Sequence, residues 1–96
     1  MLIVSGYLVV TPEERDRYVA DCADVVETAR SSKGCLDFAI SPDPVDPSRV
    51  NVYERWESRH DVERFRADGP SSEQAAAILS GQVSELEVTV ASQLFS

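Results

Sequence analysis

Between residues 2 and 10 the chain places apolar side chains on both alternating faces. Leu2, Val4, Leu8 and Val10 fall on one side, Ile3, Tyr7 and Val9 on the other. A strand that is apolar on both sides is covered on both sides, so this segment is expected at the centre of a sheet. Thr11-Pro12-Glu13-Glu14 then reads as a helix start, with a capping threonine, a proline suited to the first turn and a glutamate placed to complete a capping box. Tyr18, Cys22, Val25, Val26 and Ala29 form one apolar stripe at helical spacing, and Lys33-Gly34 predicts a stop near residue 32.

Alternation with a period of two returns at residues 35–40, with Leu36, Phe38 and Ile40 on one face and Cys35, Asp37 and Ala39 on the other. Three prolines within residues 41–48 predict a stiff loop, because proline cannot donate to a ladder. Residues 50–57 alternate again, with Val50, Val52, Glu54 and Trp56 on one face and Asn51, Tyr53, Arg55 and Glu57 on the other, which predicts a hairpin through the proline loop. Ser58-Arg59-His60-Asp61 opens a second helix whose stripe is Val62 and Phe65, up to Asp68-Gly69. A further helical turn is expected from Pro70 through Ala75, Ile78 and Leu79, closed by Gly81. A fourth strand is expected at residues 85–90, with Leu86, Val88 and Val90 inward, running on toward Leu94-Phe95.

The order β-α-β-β-α-β predicts an α+β, ferredoxin-like fold: a four-stranded antiparallel sheet with helices on one face and the first and third strands central. Ninety-six residues form one domain, 1–96. The helices shield one sheet face only. The other, carrying Tyr7, Tyr53, Ala39 and part of the fourth strand, has no element left to cover it, and large exposed apolar patches are unusual on monomers. A symmetric homodimer through the sheet faces is therefore expected.

Nine basic against 17 acidic side chains give a formal charge of −8, spread evenly over both halves of the chain. That charge argues against nucleic acid or an anionic membrane as partner, since phosphate binding needs a basic face. Met1-Leu2-Ile3-Val4 lacks the basic start of a signal peptide, and no apolar run approaches membrane-spanning length. Cys22, Cys35 and the single His60 have no metal-ligand spacing. The expectation is a cytoplasmic protein with reduced thiols and no metal.

Three stretches together resemble the antibiotic biosynthesis monooxygenase family: Gly34-Cys35-Leu36-Asp37-Phe38, Asp43-Pro44-Val45-Asp46-Pro47-Ser48-Arg49, and Val52-Tyr53-Glu54-Arg55-Trp56-Glu57-Ser58. The resemblance implies a dimeric α+β barrel with a pocket in each subunit between sheet and helices. Members include cofactor-independent oxygenases of phenolic or quinol-like compounds, and others that cleave haem or clear signalling molecules. The resemblance implies no flavin and no metal in the oxygenases. Family members often place a histidine about nine residues after the tryptophan, where this chain has Phe65. The haem-cleaving members use a first-strand asparagine, and this strand offers Ser5.

Glu54 shares a strand face with Val52 and Trp56. A carboxylate in a partly apolar pocket has a raised pKa and can take a phenolic proton; its other reading is an ion pair with a neighbouring arginine. Trp56 can stack on a flat substrate and offer its N–H, or cap the core. His60 is the only residue of the type that titrates near neutrality and is the second candidate base, or else a surface side chain. Tyr18, Phe38 and Phe65 are candidate substrate-binding walls, Tyr18 being equally a core residue of the helix stripe. Asp61 is expected as a helix-dipole partner, and Arg64 and Arg66 as a solvated helix face. The function expected is a cofactor-independent monooxygenase of a small aromatic, quinol-like or polyketide-type hydroxylated substrate, with Glu54 or His60 as base. The alternatives are a non-catalytic dimer that binds or senses a small hydrophobic molecule, and an isomerase or cyclase of the same shape.

Overall fold

The doubly apolar run becomes β1 (Leu2–Val9), flanked on both sides by other strands. The structure, a computed structural model, describes residues 1–67 and 76–95. Strand β2 (Cys35–Pro42) and β3 (Arg49–Trp56) form the hairpin, and β4 (Ser80–Glu87) completes an antiparallel sheet in the order β2-β3-β1-β4. The first and third strands are central, as the pattern requires. Pro42 extends β2 beyond the expected end, opposite Val50, which is tolerated because β2 is an edge strand.

The first helical region is not one helix. A 3-10 turn (Pro12–Glu14) leads into α1 (Arg15–Asp21), and α2 (Ala23–Arg30) follows after Cys22. Thr11 makes no side-chain capping bond; its carbonyl instead accepts the Glu14 N–H at 2.9 Å. Ser58 does cap α3 (Arg59–Ala67): the Asp61 N–H donates to its Oγ at 3.3 Å, and that hydroxyl donates to Asp61 Oδ2 at 2.9 Å. Gly34 turns the chain into β2 at φ +82°, a conformation L side chains rarely adopt, and any Cβ there would run into the Asp61 carboxylate.

Two expectations are corrected at the sheet edges. A β-bulge between Cys35 and Asp37 puts Cys35 opposite Trp56 and leaves Leu36 as the extra residue, 46% exposed instead of inward. The fourth strand begins five residues earlier than expected, so Gly81 lies within it opposite Leu8 and closes no helix. Leu86 pairs with Ile3 on the open sheet face, Val90 lies beyond the strand at 82% exposure, and Leu94 and Phe95 are exposed and outside any strand. Most of the helical turn expected from Pro70 lies outside the described residues.

The register sorts the sheet into two faces. Under the helices lie Leu2, Val4 and Leu8 of β1, Val50, Val52, Glu54 and Trp56 of β3, and Phe38 and Ile40 of β2. The buried residues form two clusters. One gathers Leu2, Val4, Ala29, Phe38, Trp56 and Val62; the other gathers Val10, Tyr18, Cys22 and Val50, and Ile40 packs against both. The open face carries Ile3, Tyr7 and Val9 beside Arg49, Tyr53 and Arg55. There Arg49 lies 4.1 Å over the Tyr7 ring and donates to Asn51 Oδ1 at 2.7 Å.

The proline loop is pinned from inside. Asp43 accepts the Asp46 and Val45 N–H groups and the Asn51 amide, which hold its carboxyl down at about 2. Arg15 reaches across from α1 to the Asp43 and Asp46 carbonyls at 3.1 and 2.7 Å.

Candidate functional site

Between the two buried clusters, under the helices, the interior is not filled. A cavity of about 850 Å³ opens there, within the size range of small-molecule sites. Its apolar wall is built from Leu8, Val25, Phe38, Ile40, Val52, Phe65 and Ile78. All but Ile78 come from the inward stripe of a helix or strand, so residues that would close a solid core here surround a void instead. Phe65 meets Phe38 edge-on, with ring centroids 5.7 Å apart, and leans on Trp56 at 5.4 Å.

Glu54 is the carboxylate the alternation of β3 turns into this space. Burial pushes its pKa above the ordinary glutamate value. The Trp56 indole N–H, donated to Oε1 at 2.9 Å, and the charge of Arg66 pull the other way, and Glu85 adds a smaller upward push. A partly desolvated carboxylate with a raised pKa is a proton acceptor poised nearer neutrality than a surface glutamate.

Tyr18 also lines the cavity, from α1. Burial, with Cys22 beside it, raises its phenol to about 12, so it stays a neutral hydrogen-bonding group at physiological pH. Burial likewise raises the Cys22 thiol, which keeps it from being a thiolate nucleophile.

The structure thus brings Glu54, Phe38, Phe65 and Tyr18 onto one cavity. Two other residues singled out in the sequence stand elsewhere. Trp56 is fully buried behind the wall, and its indole N–H is committed to Glu54. His60 is exposed in the first turn of α3 and does not line the cavity, because the inward side of that turn is taken by Asp61 and Val62.

Conversely, the cavity is lined by charged residues that the sequence reading put elsewhere. Asp61 is buried, and Arg64 holds it in an ion pair at 2.5 Å. Arg64, Arg66, Lys33 and Asp24 line the cavity where it reaches solvent. A signal for Arg66 was present: it follows Val62 by four positions, on the stripe that Val62 and Phe65 define.

A family model for antibiotic biosynthesis monooxygenases matches residues 1–77, most of the chain. The chain belongs to the antibiotic biosynthesis monooxygenase family. A Deinococcus radiodurans structure named for this family superposes with a TM-score of 0.84 at 18% identity over the whole of both chains. A conserved protein from Methanosarcina mazei gives 0.80 at 13% identity over 92% of each chain. Rv0793 from Mycobacterium tuberculosis gives 0.78 at 16% over 96% of this chain and 98% of that one. At such identities the likeness shows the fold. The uncharacterized protein sll1783 of Synechocystis is 24% identical over 58 residues, and the match spans 60% of this chain but only 40% of that protein's length. Among the described residues of this family member, no group of three His, Cys, Asp or Glu side chains could hold a metal, and no helix is long and apolar enough to cross a membrane.

Proposed function

We propose that this family member is a cofactor-independent monooxygenase of a small hydroxylated aromatic compound, with Glu54 as the general base. The observation that carries the reading is a partly buried carboxylate, raised in pKa, on the wall of an apolar cavity of about 850 Å³ with phenylalanine sides. Membership of a family named for monooxygenases supports it.

The chemistry needs the protein to take one proton and exclude water. Glu54 removes a proton from the substrate, and the resulting resonance-stabilised anion gives its electrons to dioxygen. For a benzylic methylene flanked by phenolic rings, CH₂ and O₂ become C=O and H₂O. The carbon gives up four electrons and dioxygen accepts four. The substrate supplies all of them, and Glu54 returns its proton to the departing water. The role of the walls is to hold a planar ring system beside Glu54 in a space of low dielectric.

The working unit in this reading is a homodimer. Ile3, Tyr7, Val9 and Tyr53 lie half-buried on the sheet face away from the helices, and Leu86 adds an exposed apolar side chain at its edge. A second copy laid on that face would cover it.

Oxygen uptake with naphthohydroquinones and anthrones tests the reaction. Catalysed uptake above the protein-free rate is expected, with Glu54→Gln lowering it by about 100-fold or more. Normal turnover in Glu54→Gln removes Glu54 as base. Tight binding of these compounds with no uptake by the native protein removes the oxygenase reading in favour of sequestration. Sedimentation at twice the 10.6 kDa chain mass is expected, and a monomer at micromolar concentration removes the dimer.

A further inference from the structure

Across the sheet, Phe38, Glu54, Val4 and Glu85 stand in one row on the helix-covered face, one from each strand. Strands lie about 4.8 Å apart, so the backbones of Glu54 and Glu85 are roughly 10 Å apart with Val4 between them. Arg66 comes down from α3 onto this row. Its Nη1 donates to Glu85 Oε1 at 2.6 Å, its charge acts on Glu54, and it lines the cavity. Glu85 is also bound by Arg59, which reaches on to Glu87. Two guanidinium groups therefore share one carboxylate.

That sharing leaves Arg66 under-used. A guanidinium has five N–H donors, and among the described residues only the bond to Glu85 engages one of them. Arg64 likewise makes one bond among the described residues, but to the buried Asp61 on its own helix. Of the two, Arg66 is the one anchored on the row of Glu54, through its bond to Glu85, and it stands within electrostatic reach of the base with donors to spare.

We propose that Arg66 binds the substrate's hydroxyl oxygen as an anion, so that the ligands of this cavity are acidic aromatic hydroxyls held as phenolates or enolates. This rests on the reading of Glu54 as base. Before transfer, the negative charge facing Arg66 is the Glu54 carboxylate. As the O–H bond breaks and the Glu54 O–H bond forms, that charge moves onto the substrate oxygen and Glu54 becomes neutral. The net charge of the site does not change, no electron moves in this step, and Arg66 exchanges one oxyanion partner for another. Glu85 keeps the guanidinium from following either. The selectivity that follows is for acidity: a phenol of low pKa gains from Arg66, and its O-methyl ether, unable to ionise, does not.

The probe is 4-nitro-1-naphthol, a planar two-ring phenol whose ionised form absorbs in the visible and whose nitro group withdraws the electrons that dioxygen would accept. It is bound to the native protein in buffer below its own pKa, and the ionised fraction of bound probe is read from its spectrum. Native protein is expected to hold it largely as the naphtholate. Arg66→Gln is expected to lower the ratio of ionised to protonated bound probe by about tenfold or more, equivalent to one unit of pKa. Arg66→Lys, which keeps the charge, is expected to restore most of it. A bound probe that stays protonated in the native protein overturns the proposal, as does Arg66→Gln with an unchanged ratio. Because no oxidation is read, loss of the oxygenase reading in uptake assays leaves this result standing, and an unchanged Arg66→Gln spectrum beside normal oxygen uptake removes Arg66 alone.

Discussion

At the scale of single residues, the most informative pair is Glu54 and Trp56, two positions apart on one strand face and joined by a 2.9 Å hydrogen bond. The indole N–H stabilises the charged carboxylate, opposing the burial that raises its pKa. Removing the donor in Trp56→Phe leaves burial unopposed, so the Glu54 pKa rises further. A base works when ionised, so the acid limb of the rate profile is expected to move to higher pH in this variant, and an unmoved limb would disconnect Trp56 from the base. The same substitution leaves a buried carboxylate short of a partner and is expected to cost about 1–3 kcal/mol in denaturant unfolding. The sign of the stability effect of Glu54 itself is also set. Its folded pKa lies above the unfolded one, so its contribution is fully present at low pH and falls as pH rises through the folded value. Strand alternation was enough to find Glu54. It was not enough to separate a tryptophan facing the cavity from one behind its wall, because period-two spacing gives the sheet face and not the depth.

Among the elements, the two helix starts look alike in sequence and differ in structure. Thr11-Pro12-Glu13-Glu14 and Ser58-Arg59-His60-Asp61 both carry a hydroxyl followed three residues later by an acid. Only Ser58 receives a backbone N–H on its side chain; the Thr11 start tightens into a 3-10 turn closed by backbone alone. Ser58→Ala is expected to cost about 1 kcal/mol and Thr11→Ala less than about 0.5 kcal/mol, measured as a pair by denaturant midpoint. Equal losses would contradict the distinction. The strands show where periodicity misleads. Residues 35–40 alternate cleanly, yet the bulge at Leu36 inverts the face of Cys35, and nothing in the alternation itself announces an inserted residue. The fourth strand starts earlier than its pattern suggests because its residues are exposed along their whole length. An edge strand with little buried surface carries a weak apolar period, and the later run of Leu86, Val88 and Val90 looked stronger than it is.

For the whole molecule, sheet order, the central position of the first and third strands, and helices on one face were all legible, because they follow from which segments are apolar on one side or two. Glu54, Phe38, Phe65 and Tyr18 of the candidate site were legible for the same reason, whereas Asp61 was not. The role of its arginines was not: Arg64 and Arg66 flank Phe65 and, although Arg66 falls on the helix stripe, both look like solvated charges until the helix is docked against a sheet whose edge strand carries Glu85. That pairing joins residues 19 apart in sequence, and no local pattern encodes it.

The division of the interior into two apolar clusters has a thermodynamic side. A ligand seated between them would supply the packing that the chain itself leaves out, so occupancy and folding must be linked. At a free concentration a hundred times its dissociation constant, such a ligand adds about 2.7 kcal/mol to the folded state. Melting curves recorded with candidate aromatic hydroxyls should therefore rise with affinity, and a flat response to every compound that binds would mean that the gap is not where they sit.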